Sequence, residues 1–424
     1  MSIPADTGSI ELPASSKGAF RALKHRNFRL LFTANAISNI GGWAQRIAQD
    51  WLVLQLTHQN AQDLGIVTAL QFLPTVFVSA WAGLLADRFS KRILVIYTNL
   101  GAGLTSGLLG WLILTNQVQL WHVYVLAFVL GIFTAIDAPI RQSFNSEIVG
   151  TADVGSAISL NSANFNVGRL VGPAVSGFLI QAFGTGPSFV INAVSYLGVI
   201  FALMAMRKRE LFVTPPVAKG SQIREAFWYL LERPNLLWLM AAVFTTATFG
   251  LNFQIFIAVM ATKEFHKQAG DFGILGTALA IGTLSGALIS ARLERYRLPR
   301  NIMLTMSVFG VALSLLSFAP NYLSFGIMLP FCGVLALIAL ISANSYVQTH
   351  TDASLRGRVM GIYLLIFMGG TPIGSTLLGI YAQQAGVRST MLLCGIVTVV
   401  TPLIFLWLLN RNRDGSRTRR SVIS

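Results

Sequence analysis

Apolar runs of about 20 residues, separated by short polar intervals, recur along the whole chain, and each is long enough to cross a hydrocarbon layer of roughly 30 Å at 1.5 Å per residue. Twelve are legible, at 28–56, 64–86, 93–114, 120–143, 155–183, 187–206, 235–262, 271–291, 301–318, 321–347, 355–384 and 389–409. Ten are strongly apolar. The stretches 28–56 and 155–183 carry polar and charged residues in their interiors. A spanning segment has to satisfy its backbone internally, so the pattern predicts an all-α membrane protein of twelve transmembrane helices.

One polar interval is longer than the rest. Residues 207–234 contain Pro215, Pro216, Lys219 and Gly220 and a short amphipathic piece from Arg224 to Arg233, and they divide six spans from six. The organisation expected is a polar segment 1–27, a six-helix bundle over 28–206, a central loop 207–234, a second bundle over 235–409 and a basic tail 410–424. The halves echo one another at a constant offset of 199 residues, where Asn145, Ser146, Asp153 and Pro173 match Asn344, Ser345, Asp352 and Pro372. Equal spacing and equivalent position argue for duplication, which places a site between the halves.

Charge changes the picture through its location. The net charge of +15 would suggest nucleic acid on a soluble surface, yet charged residues are only 11% of the chain and hydrophobic ones 54%. With the N-terminus in the cytoplasm, Lys and Arg concentrate in the cytoplasmic segments. Only Lys263, Lys267 and Arg388 fall on the opposite side, and Arg46 and Arg169 lie within helices. This is the positive-inside pattern of an even number of spans with both ends cytoplasmic, and it argues against nucleic acid as a partner. The basic tail, with Arg411, Arg413 and Arg417, suits anionic lipid. Residues 1–27 lack the apolar run of a cleavable signal peptide, which leaves the first helix as its own targeting signal. Cys332 and Cys394 both fall inside spans with no His or acidic cluster nearby, so neither a disulfide framework nor a metal site is expected.

Ionisable residues inside a membrane are costly and mark function by default. Arg46, Asp50, Asp137, Arg141 and Arg169 all lie in helices of the first half. In the first span Asn35, Asn39, Gly42, Arg46 and Gln49/Asp50 follow helical spacing, and in the fifth Ser159, Ser162, Asn166 and Arg169 do the same, giving two polar stripes expected to line a cavity. Asp50 is the candidate proton carrier, with Arg46 or Arg169 as partner. The alternative is a fixed i, i+4 ion pair of Arg46 with Asp50 that never titrates. In the second half, Phe249, Asn252, Phe253, Tyr363 and Phe367 form an apolar, aromatic wall that would suit a bulky, partly hydrophobic substrate.

Between the second and third spans stands Gly83-Leu84-Leu85-Ala86-Asp87-Arg88-Phe89-Ser90-Lys91-Arg92. It resembles the signature loop of the major facilitator superfamily, G-x-L-a-D-[RK]-x-G-[RK]-[RK], with Ser90 in place of Gly. Parts of the first and fourth spans, Gly42 to Leu52 and Asp137 to Gln142, resemble the third drug:proton antiporter family of that superfamily, which contains siderophore, macrolide and multidrug exporters. The resemblance covers residues 20 to 410. It implies the major facilitator fold, alternating access and a cytoplasmic gate in which Gly83 allows close packing, Asp87 meets the start of the eleventh span, and Arg88 and Arg92 seek Asp137, beside Arg141. The run Gly168, Gly172, Pro173, Ser176 and Gly177 resembles the antiporter motif G-x-x-x-G-P-x-x-G-G, apart from Ser176. Its small residues suit close packing, and Pro173 permits a bend.

No phosphate-binding loop, zinc motif or nucleophile elbow is present, so ATP-driven pumping and soluble catalysis have no support. The reading is a monomeric secondary transporter of a bacterial inner membrane, not an enzyme and without a cofactor, using the proton gradient to export a drug-, macrolide- or siderophore-like molecule. Transport of a lipid or metabolite by the same fold, or a non-transporting scaffold or sensor, are the alternatives.

Overall fold

The computed structural model describes residues 18, 20–212, 223–293, 297–352 and 354–421, with side chains described except at 79–84, 86–87, 223 and 412–421. The described chain is helical throughout. The first half comprises α1 (Arg26–Leu56), α2 (Ala61–Arg88), α3 (Lys91–Leu114), α4 (Leu120–Phe183) and α5 (Gly186–Met204). A short amphipathic α6 (Ile223–Leu231) precedes the second half, α7 (Pro234–Thr245), α8 (Phe253–Val259), α9 (Ala269–Arg292), α10 (Pro299–Ser317), α11 (Tyr322–Thr349), α12 (Arg356–Ala385) and α13 (Val387–Ser421).

Among the described residues ten stretches are long and apolar enough to span a membrane, with Pro234–Glu264, which carries α7 and α8, as one of them. The twelve crossings expected are recovered because α1 adds one despite its polar interior, and α4 contains two. Spans 120–143 and 155–183 are joined as one helix that turns back at Gly150, whose φ of 74° is open to glycine without strain. The span 235–262 departs from expectation in a different way. It is broken into α7 and α8 by a π-turn over Thr246–Gly250. Asn252 donates to the Thr248 carbonyl at 2.7 Å, which satisfies a group released by the break.

Small residues decide how closely the helices approach, because lipid supplies no hydrophobic drive between them. A Cβ at Gly168 would sit 2.8 Å from the Asn39 backbone, and one at Gly172 would overlap Trp43, so the second arm of α4 lies directly against α1. The second half repeats the device, with Gly370 and Gly374 of α12 against Thr248. Pro173 and Gly177 turn the other way. They meet Gly273 and Ala269–Gly270 of α9, which makes α4 a bridge between α1 and the opposite half. On the other flank Gly65 of α2 packs against Ser375 and Gly379 of α12.

The sequence echo has a structural basis in one pair of anchors. Asp153, just past the Gly150 turn, forms an ion pair with Arg21 at 3.0 Å and a hydrogen bond with His25 at 2.9 Å, holding the segment before α1. Asp352, its counterpart, pairs with Arg233 at 3.1 Å and donates its backbone N–H to the Tyr229 hydroxyl, holding the segment before α7. Both anchors lie at the end of the molecule rich in Lys and Arg, here termed the basic end.

Candidate functional site

A cavity of about 480 Å³ lies inside the first half, lined by residues of α1 to α5 alone. Thr134, Ala138 and Gln142 are exposed at its mouth. At its centre Arg141 Nε donates to Asp137 Oδ2 at 2.7 Å, an ion pair within α4. The other Asp137 oxygen accepts from Thr98 at 2.7 Å and Asn99 at 3.1 Å, both on α3. Arg141 Nη1 donates to Asn35 Oδ1 of α1 at 2.7 Å. Three helices are thereby tied around one pair of opposite charges, each with hydrogen-bond partners as burial demands.

Deeper in, the cavity ends on Trp43, Arg46 and Gln49 of α1. The Arg46 guanidinium lies 4.9 Å from the Trp43 ring centroid and 5.2 Å from that of Phe72, and Arg169 approaches Trp43 at 5.6 Å. Neither arginine forms an ion pair with a described residue. Gln45 is different in kind, since it accepts from Asn192 at 2.6 Å and ties α1 to α5.

Asp50 is 2% exposed and does not line the cavity. It lies behind it, at the seam between the halves, where Gln254 of α8 donates to it across 3.4 Å. Among the described residues this is the one side-chain to side-chain hydrogen bond between the halves. The rest of the seam lies nearby, toward the end opposite the basic one. Ala61 N–H donates to Gln383 at 3.1 Å, Thr277 donates to the Leu170 carbonyl at 3.2 Å, and Trp51 stacks on Phe272 with ring centroids 6.1 Å apart.

The stripe Ser159, Ser162 and Asn166 continues the helix face that carries Leu170, Pro173 and Gly177 to α9. Near the seam that face is covered, whereas toward the basic end Ser159 and Ser162 are exposed. The second arm of α4 and α9 thus meet at one end and part at the other. That geometry opens the interior toward the basic end.

Several expectations need correction. Arg92 does not reach Asp137, because it donates to the carbonyls of Leu203 at 2.7 Å and Met204 at 3.0 Å and closes the end of α5. Asp137 is satisfied within its own half by Arg141. Arg88 is exposed, and the packing of Gly83 and the side chain of Asp87 lie outside what is described. Arg169 faces Trp43 rather than Asp50, and the Arg46–Asp50 pair is not in direct contact. Asn166 donates to the Ser162 carbonyl and stays outside the cavity, as do the second-half candidates. Asn252 is occupied at the helix break, Phe253 packs against Phe256 and Phe309, and Tyr363 is 3% exposed. Phe249 and Phe367 pack on the same apolar clusters. Aromatic side chains gain more from burial in the bundle than from facing a polar opening, so this wall is core. Asn35, Asn39 and Arg46 do line the cavity. Thr98, Asn99 and Asn192 were legible as polar residues in apolar spans but stood in no stripe.

Residues 17–419 match a family described as transmembrane secretion effector. The chain belongs to this family of the major facilitator superfamily. It is 25% identical to the staphyloferrin A transporter of Staphylococcus aureus over 383 residues, covering 90% of this chain and 96% of that one. It is 29% identical to the multidrug efflux pump Tap of Mycolicibacterium fortuitum, covering 88% and 95%. The enterobactin exporter EntS of Citrobacter koseri is 23% identical, with 92% and 93% covered. Among solved structures, a bacterial homologue of the human lysosomal transporter Spinster, inward-facing and unoccupied, superposes with a TM-score of 0.72 at 13% identity, covering 92% of this chain and 97% of the other. The protein is thus a multi-pass membrane transporter of the major facilitator type and not an enzyme.

Proposed function

We propose that the protein exports a bulky, partly hydrophobic small molecule from the cytoplasm of a bacterium in exchange for protons, with both termini and the basic end on the cytoplasmic side. It acts as a monomer, with lipid around it and no cofactor. The observation that carries this reading is the placement of Asp50: a buried carboxylate on the seam, held by Gln254 of the opposite half and one helical turn from Arg46. A carboxylate there links proton occupancy to whether the halves stay closed at that end, because the neutral acid loses the charge that Gln254 and Arg46 stabilise.

Alternating access then follows. With the seam closed, the cavity takes substrate from the basic end. With the seam parted, substrate leaves on the other side and Asp50 meets protons from outside. The exporters among the relatives support the direction, and the positive-inside pattern supports the orientation.

Transport into or out of proteoliposomes, with and without a pH gradient, tests this with lipophilic cations, macrolides and siderophores as the panel. A substrate should move against its gradient only when protons flow the other way, and Asp50→Asn should abolish that coupling while leaving the protein folded. Full pH-driven activity in Asp50→Asn removes the proposal.

A further inference from the structure

At the deep end of the cavity several donors find no acceptor among the described residues. Arg46 lines it and makes no ion pair or hydrogen bond with a described residue; its guanidinium is held only by the faces of Trp43 and Phe72. Arg169 stands on the same Trp43 ring and has no carboxylate partner among the described residues. Gln49 lines the cavity at 1% exposure, and its side-chain N–H₂ has no hydrogen-bond partner.

A buried donor without an acceptor costs roughly 1–3 kcal/mol, and two guanidiniums sharing one aromatic ring repel each other. The first half holds carboxylates that could have relieved this. Asp137 is instead committed to Arg141, Thr98 and Asn99, and Asp50 is turned to Gln254 at the seam. Asp50 acts on Arg46 through space without touching it. What would satisfy Arg46 and Gln49 together is an oxygen acceptor carrying negative charge, and the planar fork of an arginine matches a carboxylate best. Trp43, Phe165 and Phe133 form the apolar wall beside it.

The geometry points to an anion subsite at Arg46 and Gln49, so that the transported molecule carries a carboxylate set against an aromatic or aliphatic body. This rests on the reading of the cavity as the substrate site, and not on proton coupling. Arg46 and Gln49 contact the carboxylate; Arg169 positions Trp43 and adds field.

The test is equilibrium binding to the purified full chain in detergent, read by energy transfer from tryptophan to pyrenebutyrate and to its uncharged amide, with empty micelles subtracted. The carboxylate should bind at least about tenfold tighter than the amide, in line with a charge-assisted contact. Arg46→Gln should erase that preference while amide binding stays, Arg46→Lys should restore part of it, and Gln49→Leu should weaken the carboxylate alone. Equal binding of the two probes, binding of neither, or a preference that survives Arg46→Gln overturns the proposal. No gradient is present in this assay, so a failure of proton coupling in vesicles leaves the anion subsite standing, and the converse also holds. Where Arg46→Gln does not fold, the wild-type ratio and Gln49→Leu decide.

Discussion

Arg141 Nε lies 2.7 Å from Asp137 Oδ2, one helical turn along α4, and the pair closes a network that reaches α1 through Asn35 and α3 through Thr98 and Asn99. Removing one charge strands the other in a low-dielectric cavity. With side-chain exposures of 24% and 19%, each single variant, Asp137→Asn or Arg141→Gln, should cost about 2 kcal/mol, less than a fully buried pair would. The double variant should recover part of that loss. Thermal unfolding of all four proteins in the same detergent gives the coupling, and additive effects would show that the pair does not hold the network.

The seam is tight because Gly273 lies against the Pro173 carbonyl with no room for a Cβ. Gly273→Ala should wedge α9 from the second arm of α4, at about 1–3 kcal/mol of overpacking. The strain falls on the closed end, so the variant should favour the state open at that end. A cysteine at Gln254 should then label faster with a membrane-impermeant maleimide than it does in the wild-type background.

Asp153 anchors the chain before α1. The hydrogen bond with His25 is the largest influence and holds its carboxyl below the usual carboxylate range; burial opposes it, and the charge of Arg21 adds a smaller lowering. A carboxyl so lowered contributes stability above its unfolded value of about 3.9, and that contribution is lost as pH falls through the lower folded value. The anchor should therefore be intact at neutral pH and released only in strong acid. Asp153→Asn should release it at neutral pH, seen as faster hydrogen exchange at the Ala22 amide, which now donates to Ser156 at 3.0 Å. Unchanged exchange at Ala22 would assign the anchor to other contacts.

Much of this architecture is written in the chain because lipid imposes a simple rule: apolar length makes a span, and Lys and Arg mark its side. The echo of Asp153 and Pro173 in Asp352 and Pro372 pointed to duplicated halves, and the two aspartates each hold the segment before the first helix of their half. The polar face of α1 was legible as cavity lining through Asn35, Asn39 and Arg46. What helical spacing cannot say is which neighbour a face meets. Gly168 and Gly177 lie in one motif yet pack on opposite sides, against α1 and α9. Asp137 found its cation within α4 rather than in the loop before α3, and Phe253 and Tyr363 went to core. The break at Thr246–Gly250 has no proline to announce it, and it lies where Gly374 of α12 comes closest to the Thr248 backbone.

The central claim is that the two halves exchange a seam at one end for an opening at the other. Spin labels at Ser159 and Arg292 report the basic end, and labels at His58 and Gln384 report the opposite end, all four positions being exposed. Double electron–electron resonance in nanodiscs at neutral and acidic pH should give two distances for each pair, with the Ser159–Arg292 distance shortening as the His58–Gln384 distance lengthens. Distances that stay single at both ends, or that lengthen together, would contradict the account.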